Sequence, residues 1–311
     1  MGFRLIRKLK RRDGKAMKND IFETIHQMYG QMSKGQKRIS DYILKNYDKA
    51  AFMTAAKLGE TVGISESTVV RFATEIGFDG YPAFQTALNE VMRTRLTAIQ
   101  RIEVADTQLG TGDVLENVLN LDIERIKKTM ECCSREQFNK VVDAIATAET
   151  VYVIGSRSAE TIGKFLEYYL NLMMKNVHFV NTAGAGGMFQ RLIHVSEKDV
   201  VIAISFPRYS KQTADAMRYA SERKARVIAL TDSEQSPIAQ NANYLLLARS
   251  DMVSFADSLV APLSLVNALI VALGMKKKDT VAKNFENLEE LWDRYGVYEI
   301  YSHNNGSKDV K

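Results

Sequence analysis

From Asn19 to about Arg95, apolar residues recur at helical spacing with short breaks. Ile21, Ile25 and Met28 make one stripe, and Ile39, Tyr42, Ile43 and Tyr47 make the next. Ser33 is placed to cap the second helix, with Gln36 at the reciprocal capping-box position. Short helices with no alternating strand text predict an all-α module. A long helix through Phe84–Val104 is expected to lead out of it and to break at Leu109-Gly110-Thr111-Gly112-Asp113, the best linker in the chain. Helices over about 114–131 and 135–148 follow. From Val151 the pattern becomes strand, loop, helix, repeated. The strands are VYVI (151–154), VHFV (177–180), VVIAI (200–204), RVIAL (226–230) and YLLL (244–247). Between the first two, Ile162, Phe165, Leu166, Tyr169, Leu170 and Met173 form a helical stripe. Runs apolar on both faces, separated by helices, indicate a parallel sheet covered on both sides. The expected fold is an all-α domain followed by a three-layer α/β/α sandwich of about five parallel strands. The expected segments are a basic arm (1–18), a helical domain (19–95), a linker helix and loop (96–113), a sheet domain (114–295) and a polar tail (296–311).

The sharpest local pattern is AAKLGETVGISESTVVRFATEIG, residues 55–77. A helix-turn-helix needs a small residue where its helices touch, apolar residues facing the core and a glycine at the turn. Leu58 and Val62 are core positions on the first helix, Gly59 is the close-contact residue, and Gly63 sits at the turn with Ile64 beyond it. Ser65 is a natural N-cap for the second helix. Val69, Phe72 and Ile76 give that helix its inward stripe, and Gly77 ends it. Ser65, Glu66, Ser67, Thr68 and Arg71 are then the candidate DNA-contacting residues, at the end a recognition helix pushes into the major groove. Arg71 can reach a guanine edge or a phosphate, and the hydroxyls suit phosphates or base edges.

Charge strengthens that reading. Residues 1–100 hold 17 Lys and Arg against 10 Asp and Glu, whereas the rest of the chain holds 25 against 27. Eight of those basic residues fall within 1–18 beside a lone Asp13, which reads as a solvated arm. Lys34, Lys37, Arg38 and Lys57 surround the helix-turn-helix. A basic N-terminal third calls for an anionic partner, and double-stranded DNA fits the motif better than a membrane surface does.

Composition removes other classes. With 46% hydrophobic and 25% charged residues the chain is neither disordered nor fibrous. The two cysteines are the adjacent Cys132 and Cys133, which cannot staple distant segments, so a reducing, cytoplasmic setting is expected. The start, MGFRLIRKLKRR, lacks the apolar core of a secretory signal. The most apolar stretch, Leu259 to Leu273, is interrupted by Pro262, Ser264 and Asn267 and falls short of the roughly 20 residues that span a bilayer. It reads as a buried helix.

In open parallel sheets, ligands bind at the carboxyl ends of strands where strand order reverses. Two loops there are rich in hydroxyls: Gly155-Ser156-Arg157-Ser158 and Ser205-Phe206-Pro207-Arg208-Tyr209-Ser210. Hydroxyls, an arginine and the free N–H groups of a helix start make an anion site. Ser156, Ser158, Ser205, Arg208 and Ser210 are its candidate residues, although Ser158 and Ser210 also suit plain N-caps. No G-x-x-x-x-G-K-S/T is present, and Gly184-Ala185-Gly186-Gly187 lacks the third glycine of a dinucleotide site. His26, His178, His194 and His303 lie far apart without ligand spacing. No cofactor and no metal is expected.

These residues resemble the RpiR/MurR family of bacterial transcriptional regulators over about Ile21 to Phe285. The landmarks are SKGQKRISDYIL (33–44), LGETVGISESTVVRFATEIGFDGYPAF (58–84), SFPRYSKQT and VIALTDSEQSPIA (227–239). The resemblance implies an N-terminal DNA-binding domain and a C-terminal SIS (sugar isomerase) domain that senses a phosphorylated sugar. SIS phosphate sites resemble S-x-S-G-x-T. At 205–210 this chain reads S-F-P-R-Y-S, with Pro207 for the middle serine and Arg208 for glycine. The lost hydroxyl is offset by a guanidinium able to bind an anion bidentately.

The expected function is a DNA-binding regulator, not an enzyme, whose operator affinity is controlled by a phosphorylated sugar. A homodimer or homotetramer is expected on a palindromic operator. The alternative is a sugar-phosphate isomerase with an accessory helical domain, for which Glu160 and His194 are the nearest candidate bases.

Overall fold

The computed structural model describes residues 21–95, 97, 99–102, 112–181, 185–251 and 256–298. The basic arm, Gly184, most of the linker and the tail beyond Tyr298 lie outside the described residues. Contacts divide the chain into two units. One holds residues up to Asn117 together with Asp251–Asp257, and the other holds Val118–Ser250 and the remainder.

The first unit is helical: α1 (Ile21–Met28), α2 (Lys34–Lys45), α3 (Tyr47–Ala50), α4 (Ala55–Val62), α5 (Glu66–Glu75) and α6 (Gly80–Arg95). Its core gathers Ile25, Ile39, Ile43, Leu58, Val69, Phe72, Phe84 and Leu88, all essentially inaccessible to water. The α2 start carries the full capping box: Ser33 N–H donates to Gln36 Oε1 at 2.8 Å, and Gln36 N–H donates to Ser33 Oγ at 3.4 Å. The expected helix over Phe84–Val104 is shorter. It ends at Arg95, and a fresh turn begins at Thr97, whose hydroxyl accepts from Gln100 N–H while its own N–H donates to Gln100 Oε1 at 3.0 Å. A second capping box interrupts what the apolar spacing alone reads as one helix.

The second unit is a five-stranded parallel sheet in the order β2-β1-β3-β4-β5: β1 (Val151–Gly155), β2 (Val177–Asn181), β3 (Val200–Ile204), β4 (Arg226–Thr231) and β5 (Tyr244–Leu247). Helix α7 (Val114–Cys132), which starts in the first unit, and α8 (Arg135–Ala146) precede it. α9 (Ser158–Asn171), α10 (Ala185–Leu192) and α11 (Lys211–Glu222) connect the strands, and α12 (Val260–Lys276) and α13 (Lys278–Tyr295) follow. Strand side chains alternate between two cores. Val151, Val153, Ile202 and Ile228 pack with α8, α9 and α12, while Ile154, Val201, Ala203 and Val227 pack with α10 and α11. Strand β1 is buried on both faces, as its unbroken apolar run requires. α12 is the expected buried helix, with Leu265, Val266, Leu269 and Leu273 in the core. Among the described residues no single helix is long and apolar enough to cross a membrane.

Candidate DNA-reading and effector sites

Helices α4 and α5 form the helix-turn-helix. Gly63 adopts φ +69°, a left-handed conformation, and Ile64 N–H closes the turn onto the Gly59 carbonyl at 2.9 Å. A Cβ on Gly59 would stand 2.8 Å from the Ile64 carbonyl oxygen, so the turn is closed by the absence of a side chain there. Arg38 from α2 donates to the Gly63 carbonyl at 3.3 Å. Gln36 of the capping box also donates to Glu75, at the far end of α5. The start of α2 thus braces the turn and α5 together.

The outward face of α5 holds Glu66, Ser67 and Arg71, all exposed. Two expectations change. Ser65 has the extended backbone of an N-cap, but its hydroxyl makes no cap bond; it lies 2.8 Å from Thr68 Oγ1 and 3.1 Å from Ser67 Oγ. Thr68 is half-buried, its methyl packed toward Gly35 of α2. Val70 and Thr74 also line this face, with Val70 39% exposed. They share the helical register of Ser67 and Arg71, and an apolar Val70 pointing to water was the signal to notice.

In the sheet domain, strand order reverses between β1 and β3, and the loops after these two strands flank that point. Ser156, after β1, lies 3.2 Å from both Ser210 Oγ and Thr213 Oγ1. Ser210 caps α11 by accepting from Thr213 N–H at 3.2 Å, and its own N–H donates to the buried Ser205 hydroxyl at 3.2 Å. Ser156, Ser205 and Ser210 are therefore one cluster at a helix N-terminus, where backbone dipoles favour negative charge. Arg208 is exposed beside it on the same loop.

Ser158 is not an N-cap. It is the first residue within α9, exposed, and the cap position belongs to Arg157 at φ +58°. Gly155 allows the close start of α9, since a Cβ there would meet the Ala159 carbonyl oxygen at 2.7 Å. Three further residues shape the site: fully buried Thr213, and Tyr209, whose hydroxyl donates to the buried Asp232 carboxylate at 2.8 Å beyond β4. The two isomerase candidates are not brought together. Glu160 lies in the first turn of α9 and pairs with Lys164 at 2.6 Å, whereas exposed His194 follows α10 on the opposite layer.

Known proteins match both halves. The helix-turn-helix domain of the rpiR family is matched over residues 19–94, and the SIS domain over residues 144–272. The chain belongs to the RpiR family. It is similar to an uncharacterised helix-turn-helix transcriptional regulator of Haemophilus influenzae, 24% identical over 268 residues that cover 82% of this chain and 91% of that protein. HexR of Escherichia coli is 22% identical over 87% of this chain and 93% of its own length. The sugar isomerase domain of an RpiR transcription factor from Sphaerobacter thermophilus superposes with a TM-score of 0.55 at 26% identity, covering 58% of this chain and 99% of that one. Vibrio vulnificus NanR, solved in complex with ManNAc-6P, superposes with a TM-score of 0.53 at 26% identity, covering 88% and 99%. This RpiR-family chain is a helix-turn-helix transcriptional regulator with a SIS domain.

Proposed function

We propose that a phosphorylated sugar, bound at the β1–β3 crevice, controls the operator affinity of this regulator. The observation that carries the reading is the hydroxyl cluster of Ser156, Ser205 and Ser210 at the start of α11. Hydroxyl donors, helix N–H groups and the Arg208 guanidinium together suit a dianionic phosphate. Vibrio vulnificus NanR, of related sequence and fold, holds a sugar phosphate, which supports the same effector class here. Ser158 belongs to the rim of this site, and Thr213 and Tyr209 to its wall.

On the DNA side, Glu66, Ser67 and Arg71 enter the major groove, with Ser65 and Thr68 ordering the first turn of the recognition helix. The segments are an arm (1–18), a DNA-binding domain (19–95), a connecting region (96–113), a SIS domain (114–295) and a tail (296–311). The protein acts in the cytoplasm as a homodimer, which spaces two recognition helices for a palindromic operator about 34–36 Å per turn or a multiple of it. Effector binding shifts that spacing, a coupling typically worth about 1–3 kcal/mol. No catalytic step is assigned, because Glu160 is engaged by Lys164 and His194 lies on another layer.

The test combines two titrations on the full chain. Hexose, hexosamine and N-acetylhexosamine 6-phosphates, with inorganic phosphate as control, are screened by thermal shift. Responsive compounds are then added to a mobility-shift assay on DNA flanking the gene. A sugar phosphate that raises the melting temperature and changes DNA affinity is the expected result. Turnover of that compound to an isomer would replace this reading with the enzymatic one.

A further inference from the structure

The turn that begins at Thr97 buries a charge and exposes its apolar residues. Arg101 is 2% exposed, while Ile99 and Ile102 beside it stand 70% and 45% exposed. Burial of apolar surface alone would turn this segment the other way. What holds it inward is Asp257, whose carboxylate accepts from the Arg101 guanidinium at 2.7 Å across 156 positions of sequence. Among the described residues, the other ion pairs are either exposed, as Lys198–Glu149 and Lys276–Asp143, or local, as Arg125–Asp122.

Asp257 also sits at a junction of the chain. Segment Asp251–Asp257 lies in sequence between β5 and α12, both of the second unit, yet by its contacts it belongs to the first. The next residue, Ser258, belongs to the second. Its hydroxyl donates to Asp122 of α7 at 2.7 Å, and its carbonyl accepts from the Ser250 hydroxyl at 3.2 Å, which closes the base of the segment. Helix α12 starts at Val260 and packs Leu265, Val266 and Leu269 into the core that also takes Ile162 and Leu166 of α9. The start of α9 in turn follows directly on the Ser156 loop of the candidate effector site.

We propose that the Arg101–Asp257 pair is the link through which the effector crevice and the DNA-binding domain act on each other. This role presupposes that the crevice binds an effector, and it names how occupancy is passed on. A buried pair suits the task because separating it strands two charges away from water, so the joined segments move together or break cleanly. Apolar contact is non-directional and would slide instead. A displacement at the start of α12 therefore pulls Asp257 and, through it, Arg101. The backbone follows the guanidinium, since the Arg101 N–H donates to the Thr97 carbonyl at 3.0 Å in the turn that succeeds α6. Arg101 and Asp257 are positioning residues in this role and contact neither ligand.

Mobility-shift titrations on the full chain, with and without a responsive sugar phosphate, read the coupling as the ratio of the two DNA affinities. From a typical coupling of about 5–150-fold, Asp257→Asn should reduce the ratio to less than about twofold. Sugar-phosphate binding by calorimetry and DNA binding without effector should both stay near wild type. Arg101→Met should behave alike, and Arg101→Met/Asp257→Asn should be no worse than either, because both changes break one link. The double variant leaves no buried charge, so it folds even where a single change does not. Asp257→Glu should retain most of the ratio. A wild-type ratio in the double variant overturns the link, and so does a loss of both binding affinities with the ratio kept, which marks a purely structural pair. Hydrogen exchange with a random-sequence duplex at low salt keeps the effector reading separate, since phosphate contacts alone hold DNA there. By reciprocity, DNA should alter amide exchange at residues 256–260 in the wild type and not in Asp257→Asn. That result, with no sugar phosphate acting on DNA affinity, removes the effector reading and keeps the link. No change at 256–260 in the wild type, or the same change in Asp257→Asn, overturns the link whatever the sugar does.

Discussion

The hydroxyls of Ser156 and Ser210 lie 3.2 Å apart although 54 residues separate them in the chain. They meet because β1 and β3 are neighbours in the sheet and their crossovers leave in opposite directions, which opens a crevice at their carboxyl ends. Each serine has a different second duty. Ser210 caps α11, while Ser156 reaches across to Thr213.

That division predicts separable phenotypes. Ser210→Ala removes an N-cap worth about 1 kcal/mol and should lower both the melting temperature and effector affinity. Ser156→Ala spares the cap and should weaken effector binding with a smaller loss of stability. Thermal melts and calorimetric titration of a responsive sugar phosphate read the two effects. Equal stability loss in both variants would mean the cluster is structural.

Arg208 is exposed on its loop, so the core does not depend on it. Arg208→Ala should leave melting unchanged and weaken sugar-phosphate binding about tenfold or more, because hydrogen bonds to charged groups contribute about 1.5–3 kcal/mol. DNA affinity without effector should survive, and the effector's influence on it should fade. Wild-type sugar-phosphate affinity in this variant would move the anion site to the 155–158 loop.

Two glycines should respond to alanine with opposite signs. In a helix interior the exchange ordinarily stabilises by about 0.5–1 kcal/mol. Gly274 of α12 has nothing within 4 Å of a new Cβ, so Gly274→Ala should raise the melting temperature. Gly59→Ala drives a methyl to 2.8 Å from the Ile64 carbonyl, a backbone atom that cannot swing aside, and overpacking of about 1–3 kcal/mol outweighs the propensity gain. Its melting temperature and DNA affinity should both fall. A neutral Gly59→Ala would show that the turn has slack.

Such local geometry was legible in the sequence because its signals are short-range. The Ser33–Gln36 box, left-handed Gly63 and the strand runs each depend on residues a few positions apart. Thr97 was missed as a helix breaker even though its box with Gln100 is equally local, because the apolar period ran across it. The contacts within the candidate effector site were not legible. Tyr209 and Asp232 meet only once β3 and β4 pair, and Thr213 reaches Ser156 only across the crevice. For α7 the periodicity announced a helix but not its orientation. The inward face was decided by Asp122, Ser258 and the Arg249 amide, which no spacing rule connects.

Tyr81 gives the helical domain an alkaline limit. Its hydroxyl donates to the Met53 carbonyl at 2.7 Å, and burial pushes its pKa up to about 12 from an ordinary value near 10. Folding therefore favours the neutral phenol. The contribution is complete below pH 10 and is lost as pH rises from about 10 to 12, where the unfolded chain ionises first. Tyr81→Phe should be less stable at pH 8 by about 1 kcal/mol for the lost hydrogen bond, and the gap should close between pH 10 and 12. Denaturant melts across that range measure it, and a constant gap would remove Tyr81 from the alkaline transition.

Arg71 and Val70 offer the clearest test of how DNA is read. They are adjacent in sequence and both face outward from α5, one long and cationic, the other short and apolar. An arginine bidentate to guanine discriminates by about 1–3 kcal/mol at one base pair, whereas an arginine on phosphate supports all sequences equally. A valine at this position has no hydrogen bond to give, and its natural base contact is the thymine methyl. Arg71→Ala should therefore weaken operator binding by about 1–3 kcal/mol and relax preference at a single position, with little change in the salt slope. Val70→Ala should leave affinity for random DNA untouched and reduce the preference for thymine over cytosine at a neighbouring position. Salt-dependent titrations on operator and scrambled duplexes distinguish the cases. Uniform weakening with a salt slope lower by about one would assign Arg71 to phosphate. Unchanged operator affinity in both variants would mean that α5 does not enter the groove by this face.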